Sequence, residues 1–278
     1  MPLLKCGKFT LSLERPLVMG IVNVTPDSFA DGGLFMTPAA ALGQAARLID
    51  EGADLLDIGG ESTRPGASPV EIGEELDRIM PVLEGLRDSP VPVSVDTSKP
   101  EVMRQAISGG ASMINDVSAF EAGGAMEAVA GSDVALCLMH KRGDPRTMQQ
   151  DPHYRDVVAE VMEYLASRRD AVRAAGVAAE RMVVDPGFGF GKNWAHNMTL
   201  LRNLDRLTML HVPIMVGLSR KSMLGKITGR EPRDRVYASV AAALLATERG
   251  AAILRVHDVA ATKDGLAVFW AMHQGSHE

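Results

Sequence analysis

The stretch Leu55 to Arg64, LLDIGGESTR, passes within ten residues from an apolar run to a cluster of glycines and polar groups. The same transition recurs seven more times. Upstream stands GIVNVT (Gly20 to Thr25). Downstream follow VPVSVDTS (Val91 to Ser98), SMINDVS (Ser112 to Ser118), ALCLMH (Ala135 to His140), MVVDPGFGF (Met182 to Phe190), PIMVGLSRKS (Pro213 to Ser222) and AILRVHD (Ala252 to Asp258). Strands buried on both faces read as continuous Val/Ile/Leu/Met runs, which is the pattern a parallel sheet requires. Eight such strands alternating with helical patterns predict an α/β fold, a single (β/α)8 barrel with its chemistry at the C-terminal strand ends. Alternation from Phe9 to Leu13 predicts a short N-terminal β-hairpin closing the barrel's bottom.

Helix signals fill the intervals. Thr37 reads as the N-cap of a helix from Pro38 to Glu51. Ser68-Pro69-Val70-Glu71 has capping-box spacing and predicts a helix to about Leu86. Ser98-Lys99-Pro100-Glu101 repeats the device before a short helix ending near Gly109. Further helices are expected over 124–131, 157–175, 194–207, 233–249 and 262–274. The connections Val24 to Met36 and Ser62 to Pro69 are long for this architecture, which marks them as binding loops or lids. Lys141 to Tyr154 is a third long stretch. Without linker, repeat or low-complexity tract, 1–278 reads as one domain.

The formal net charge of −6 and the lack of a basic stripe argue against a nucleic-acid binder. Two distant cysteines, Cys6 and Cys137, make neither a disulfide framework nor a metal site. With no long apolar segment at the N-terminus, the expected location is cytoplasmic.

Asp96, Asn115 and Asp185 end the third, fourth and sixth runs, so all three are expected to project into one crater. A carboxylate there suits a planar donor pair such as the ring N–H and exocyclic amine of a guanine-like heterocycle. Strand-end capping would also explain any one of them. Lys221 and Ser222 follow the seventh run, in a part of the barrel that often binds anions; a solvated basic turn is the alternative. Arg255 and His257 end the eighth run on one strand face and suit a diphosphate clamp, and burying them without a ligand requires compensating carboxylates. Asn23 offers a neutral oxygen to a Mg²⁺ shell, or bonds its own loop. Arg64 is a candidate second phosphate contact. Gly187 to Lys192 fits neither the dinucleotide nor the Walker spacing, and reads as a turn that lets the backbone pass close to the site. His140 has no visible partner and reads as a structural histidine.

Taken together, these segments resemble the dihydropteroate synthase family, the folate-pathway enzymes targeted by sulfonamides. The resemblance rests on MGIVNVTPDSFADGG (Met19 to Gly33), DIGGESTRPGA (Asp57 to Ala67), INDV (Ile114 to Val117), DPGFGFGK (Asp185 to Lys192), GLSRKSMLGKITG (Gly217 to Gly229) and RVHDV (Arg255 to Val259). It implies a pterin-binding TIM barrel and condensation of a dihydropterin-CH2-diphosphate with 4-aminobenzoate, Mg²⁺ being required. By the family pattern, Asp96, Asn115, Asp185, Lys221 and Arg255 hold the pterin. Asn23, Arg64, Arg255 and His257 hold the diphosphate, with Asn23 on the metal. Thr63, Pro65 and Ser222 shape the aminobenzoate pocket. The implied mechanism is dissociative substitution, with Asp96, Asp185, Lys221, Arg255 and His257 as the catalytic set. A homodimer is implied, with the Ala-rich helix from Tyr237 to Ala246 as candidate interface; barrel packing would also explain that helix. Lys141 departs from the pattern, which leads one to expect an apolar residue after Met139-His140. The rival readings are a pterin-dependent methyltransferase, which has no diphosphate to bind, and a non-catalytic pterin-binding paralogue.

Overall fold

Eight parallel strands close into a barrel in a computed structural model that describes residues 3–25, 37–62, 67–144 and 147–274. The chain opens with β1 (Leu3–Cys6) and β2 (Phe9–Ser12), an antiparallel pair, before the first barrel strand β3 (Leu17–Asn23). There follow α1 (Pro38–Asp50), β4 (Leu55–Gly59), α2 (Ile72–Gly85), β5 (Val93–Asp96), α3 (Pro100–Ser108), β6 (Met113–Asp116), α4 (Ala125–Val129) and β7 (Ala135–Met139). The second half contributes α5 (Val157–Ala174), β8 (Met182–Asp185), α6 (Trp194–Arg202), β9 (Ile214–Val216), α7 (Ser222–Thr228), α8 (Val236–Glu248), β10 (Ala251–Val256) and α9 (Val259–Gln274). Spatial order follows chain order, and β10 closes against β3. The expected (β/α)8 barrel and hairpin are both present. Of the two long connections, residues 26–36 and 63–66 lie outside the described residues. No described helix is long and apolar enough to cross a membrane.

Period-two alternation sorts each strand into two cores. Outward-facing residues such as Val18, Val22, Leu56, Ile58, Val93, Val95, Leu136, Leu138 and Leu254 pack with the helices in one large apolar cluster. Inward-facing Met19, Leu55, Met113, Ala135, Cys137, Val183, Met215 and Ile253 form a second cluster, which Leu4 and Cys6 of the hairpin plug from below. The Cys6 thiol donates to the Ser112 carbonyl at 3.2 Å, and burial pushes its pKa up to about 12. Both cysteines are free and behave as small buried hydrophobes.

Several boundaries differ from the sequence reading. Thr37 caps α1 as expected, its Oγ1 accepting from the Ala40 N–H at 3.2 Å. Ser68 does not cap α2, whose N-cap is Glu71. The Val70 N–H donates instead to the Glu61 carboxylate at 3.0 Å, and the N-cap Glu71 is extended. Nor is Ser98 a cap, because Pro100 occupies the first helical position of α3 and forces extended backbone on Lys99, the actual N-cap. The helix expected over 194–207 ends at Arg202 and continues as the 3₁₀ segment Leu204–Leu210. That over 233–249 begins at Val236 after the 3₁₀ turn Pro232–Asp234, and α9 begins three residues before Thr262.

Candidate active site

The inward parity that fills the barrel with Met and Ile below carries a different chemistry above. Asn23, Asp96 and Asn115 stand at one level, Asn23 paired in register with Gly59, Gly59 with Asp96, and Asp96 with Asn115. Asp57 lies on the same inward face of β4, two residues below Gly59, and is fully buried. Asp185 ends β8 opposite Met139 of β7. Arg255 reaches inward from β10 and joins two of these carboxylates, with its Nε 2.5 Å from Asp57 and a terminal nitrogen 2.9 Å from Asp96. These are the compensating carboxylates that a buried arginine requires. Asn115 donates to the same Asp57 oxygen at 3.2 Å.

Burial governs the electrostatics. It raises the Asp96 carboxyl to about 7, opposed by Arg255 and reinforced by repulsion from Asp57, Asp116 and Glu75. Asp185 is likewise raised by burial, although its Oδ1 accepts the Gly187 N–H at 2.6 Å and Lys221 and Arg255 pull the other way. Burial alone would depress Arg255, but Asp57 and Asp96 outweigh it and hold the guanidinium above its ordinary range. Among the described residues, Asp57 Oδ1, Asn115 Oδ1 and the adjacent Ser94 Oγ are buried without a hydrogen-bond partner. An unmet buried acceptor costs roughly 1–3 kcal/mol. The two amide and carboxylate acceptors stand beside two carboxylates held largely away from water.

The glycine-rich turn after β8 is anchored rather than phosphate-binding. Lys192 is almost fully buried and donates to the carbonyls of Gly187 at 3.0 Å and Phe190 at 3.1 Å, with its Nζ 2.8 Å from His140 Nδ1. A Cβ on Gly187, at φ +66°, would stand 1.9 Å from the His140 carbonyl oxygen, so this crossing requires glycine. His140 therefore has a structural task, as expected: it braces this turn, packs edge-on against Tyr164 at 5.0 Å, and burial depresses its pKa to about 2.

The turn presents Phe190, whose ring centre lies 4.3 Å from Lys221 Nζ. Lys221 precedes α7 and Ser222 opens it, so both flank the crater from the seventh strand end. Arg220 between Ser219 and Lys221 points away, into a bidentate pair with Asp258 at 3.1 and 2.7 Å. His257 sits with its Nδ1 3.0 Å from Ser219 Oγ. Asn23 is half-buried, and its amide makes no hydrogen bond among the described residues. Thr63, Arg64 and Pro65 lie outside the described residues.

Thus Asp96, Asn115, Asp185, Arg255 and Lys221 converge from five strand ends, with Asn23, His257 and Ser222 on the rim. The sequence reading assigned no role to Asp57, Ser219 or Lys192. Asp57 carried a usable signal, a lone carboxylate at inward parity in an otherwise apolar strand. Ser219 and Lys192 carried none, because their partners are 38 and 52 residues away.

Comparison with known proteins agrees with this geometry. A model of the pterin binding enzyme family matches residues 19–257. The dihydropteroate synthase of Neisseria meningitidis serogroup B is 48% identical over 275 residues, which are 96% of each chain. Among solved structures, Xanthomonas albilineans dihydropteroate synthase with 4-aminobenzoic acid superposes with a TM-score of 0.93 at 55% identity, covering 99% of both chains. Burkholderia cenocepacia dihydropteroate synthase complexed with 7,8-dihydropteroate gives 0.89 at 53% identity, over 98% of this chain and 96% of that one. A crater of buried carboxylates and amides at the C-terminal end of a closed barrel, shared in sequence and fold along the whole chain, places this protein among the pterin-binding enzymes, in the dihydropteroate synthase family.

Proposed function

We propose that this chain condenses (7,8-dihydropterin-6-yl)methyl diphosphate with 4-aminobenzoate, giving 7,8-dihydropteroate and diphosphate. The observation that carries the reading is the pair of unmet buried acceptors, Asp57 Oδ1 and Asn115 Oδ1, beside Asp96 and Asp185. A pterin brings ring N–H and exocyclic amine donors on one edge, matching acceptors that water does not reach.

The same arrangement favours dissociative substitution. Asp96 and Asp185 are costly to ionise in the empty site. A pterin ring that turns cationic as the C–O bond to diphosphate breaks returns the missing counter-charge. That stabilisation grows toward the transition state, which is the condition for catalysis. His257, Arg255 and the Ser222 end of α7 face the departing diphosphate and the incoming arylamine, whose neutral nitrogen attacks the exocyclic carbon. The proton it sheds passes to water or the leaving group. Asn23, half-buried on the rim, would offer a neutral amide oxygen to a hard cation. Mg²⁺ held there would supply charge neutralisation of the leaving group. Arg64, Thr63 and Pro65 are assigned to the diphosphate and aminobenzoate sides on the family pattern.

Two further readings accompany this one. Tyr237 on α8 is 83% exposed and Val268 on α9 is 72% exposed, and the two helices are neighbours. An apolar face of this kind suits an isologous contact with a second copy. Free buried cysteines fit a reducing compartment such as the cytoplasm. The deciding experiment incubates the protein with the pterin diphosphate, 4-aminobenzoate and Mg²⁺ and follows diphosphate release. Stoichiometric pterin binding without release would replace the enzyme by a binder.

A further inference from the structure

Two consecutive residues after β9 are bonded to two consecutive residues after β10. Ser219 Oγ lies 3.0 Å from His257 Nδ1 and also accepts the His257 backbone N–H at 3.2 Å. Arg220, the next residue, holds Asp258 through two nitrogens at 3.1 and 2.7 Å. Arg220 adopts φ +58°, a backbone conformation that residues bearing a Cβ rarely take. Its N–H donates to Ser239 Oγ at 2.9 Å and its carbonyl accepts from Arg235 at 2.9 Å. Such over-determination of an unfavourable conformation is what a site uses to fix geometry.

We propose that Ser219 is a positioning residue that selects the tautomer of His257, with the Arg220–Asp258 pair holding the two strand ends in the register this requires. A hydroxyl has one proton and two lone pairs. The fixed backbone N–H of His257 takes one lone pair; of the second lone pair and the proton that remain, the proton faces Nδ1 in this assignment. In the neutral ring Nδ1 is therefore the acceptor and the ring hydrogen resides on Nε2. His257 thereby offers an N–H donor to an anion while uncharged, and the same loop that orients it carries Lys221 and Ser222. The device ties His257 to the loop that carries Lys221 through the Ser219 side chain. The anion named here rests on the diphosphate reading above; the tautomer assignment does not.

Nitrogen-15 NMR of the full-length protein at alkaline pH, where the ring is neutral, tests the tautomer directly. In the unaltered protein and in Ser219→Thr, His257 Nδ1 should resonate as an unprotonated nitrogen and Nε2 as a protonated one. Ser219→Ala should move both toward intermediate values. Titration with inorganic diphosphate and Mg²⁺ should show a loss of about 3- to 10-fold in affinity for Ser219→Ala, the range for one hydrogen bond, and recovery in Ser219→Thr. In the His257→Ala background, Ser219→Ala should cost nothing more. Unchanged nitrogen shifts in Ser219→Ala, or additive losses in the double variant, would overturn the proposal. If His257→Ala binds diphosphate normally, the diphosphate reading fails, and the nitrogen shifts still decide the role of Ser219.

Discussion

The two ends of the barrel are built from the same eight strands and the same inward-facing parity, yet they obey opposite rules. At the N-terminal end Met19, Leu55, Met113, Ala135, Val183, Met215 and Ile253 close around Leu4 and Cys6 without a charged group. At the C-terminal end, one or two inward residues further along the strands, stand Asn23, Asp57, Asp96, Asn115, Asp185 and Arg255, and Asp57 Oδ1 and Asn115 Oδ1 have no partner among the described residues. The lower layer is apolar except at Ser94, whose buried Oγ also has no partner among the described residues. The upper layer carries the charged and amide groups that a ligand can complete, so stability and chemistry are largely separated by one or two turns of the strand pleat.

If that division is real, substitutions above should remove activity and spare the fold, and those below should do the reverse. The largest effect is expected for Asp185→Asn and Lys221→Ala, each costing on the order of 10²–10³ or more in turnover, as loss of one preorganised charge contact does. Asn at 185 still offers an oxygen to the Gly187 N–H. It also avoids the burial cost that raises the native carboxyl, so its melting temperature should match or exceed that of the parent. Steady-state kinetics beside thermal denaturation checks both halves; near-parental turnover would remove Asp185 or Lys221 from the catalytic set. Next comes Met113→Ala in the lower layer. Emptying a fully buried methionine site should cost about 2–5 kcal/mol of stability by chemical denaturation, with kcat at a temperature well below melting changed little. A large kcat loss there would mean that the two layers are mechanically coupled.

How much of this division could be read from the chain depends on how local the cause is. Apolar runs ending in polar clusters are local, so all eight barrel strands and the convergence of Asp96, Asn115, Asp185 and Arg255 were visible. Helix starts were less so: the Ser68 signal was overridden because Glu61 captures the Val70 N–H from outside the segment. The brace of Lys192 on His140 and the bond of Ser219 to His257 join residues 52 and 38 apart, and no spacing rule reports such a pair. Asp57 is the instructive case between these. It sits in the stretch that decides the fold, at inward parity, but only the folded structure shows that one of its oxygens anchors Arg255 and Asn115 and that the other has no partner among the described residues.

The smallest effect discriminates most finely between the two ends, because it asks whether the upper layer carries a standing cost that the lower lacks. Asp96 has a folded pKa of about 7 against an ordinary value of 3.8. Between these values the folded state holds a proton that the unfolded state has released. Stability should therefore fall as pH rises from about 4 to about 7, by linkage. His140, depressed to about 2 from 6.5, acts in the opposite sense, because the unfolded imidazole binds a proton that the folded one refuses, and stability is lost as pH falls below about 6.5. The two slopes oppose each other in the parent and hide one another in a simple pH scan. Asp96→Asn removes the first alone, so the variant's stability relative to the parent should increase steadily from pH 4 to pH 7, measured by denaturant titration at each pH. A substitution in the lower layer such as Met113→Ala should shift the parent's curve without altering its shape. A flat difference between Asp96→Asn and the parent would show that Arg255 fully compensates the carboxylate, and that the crater is at ease when empty.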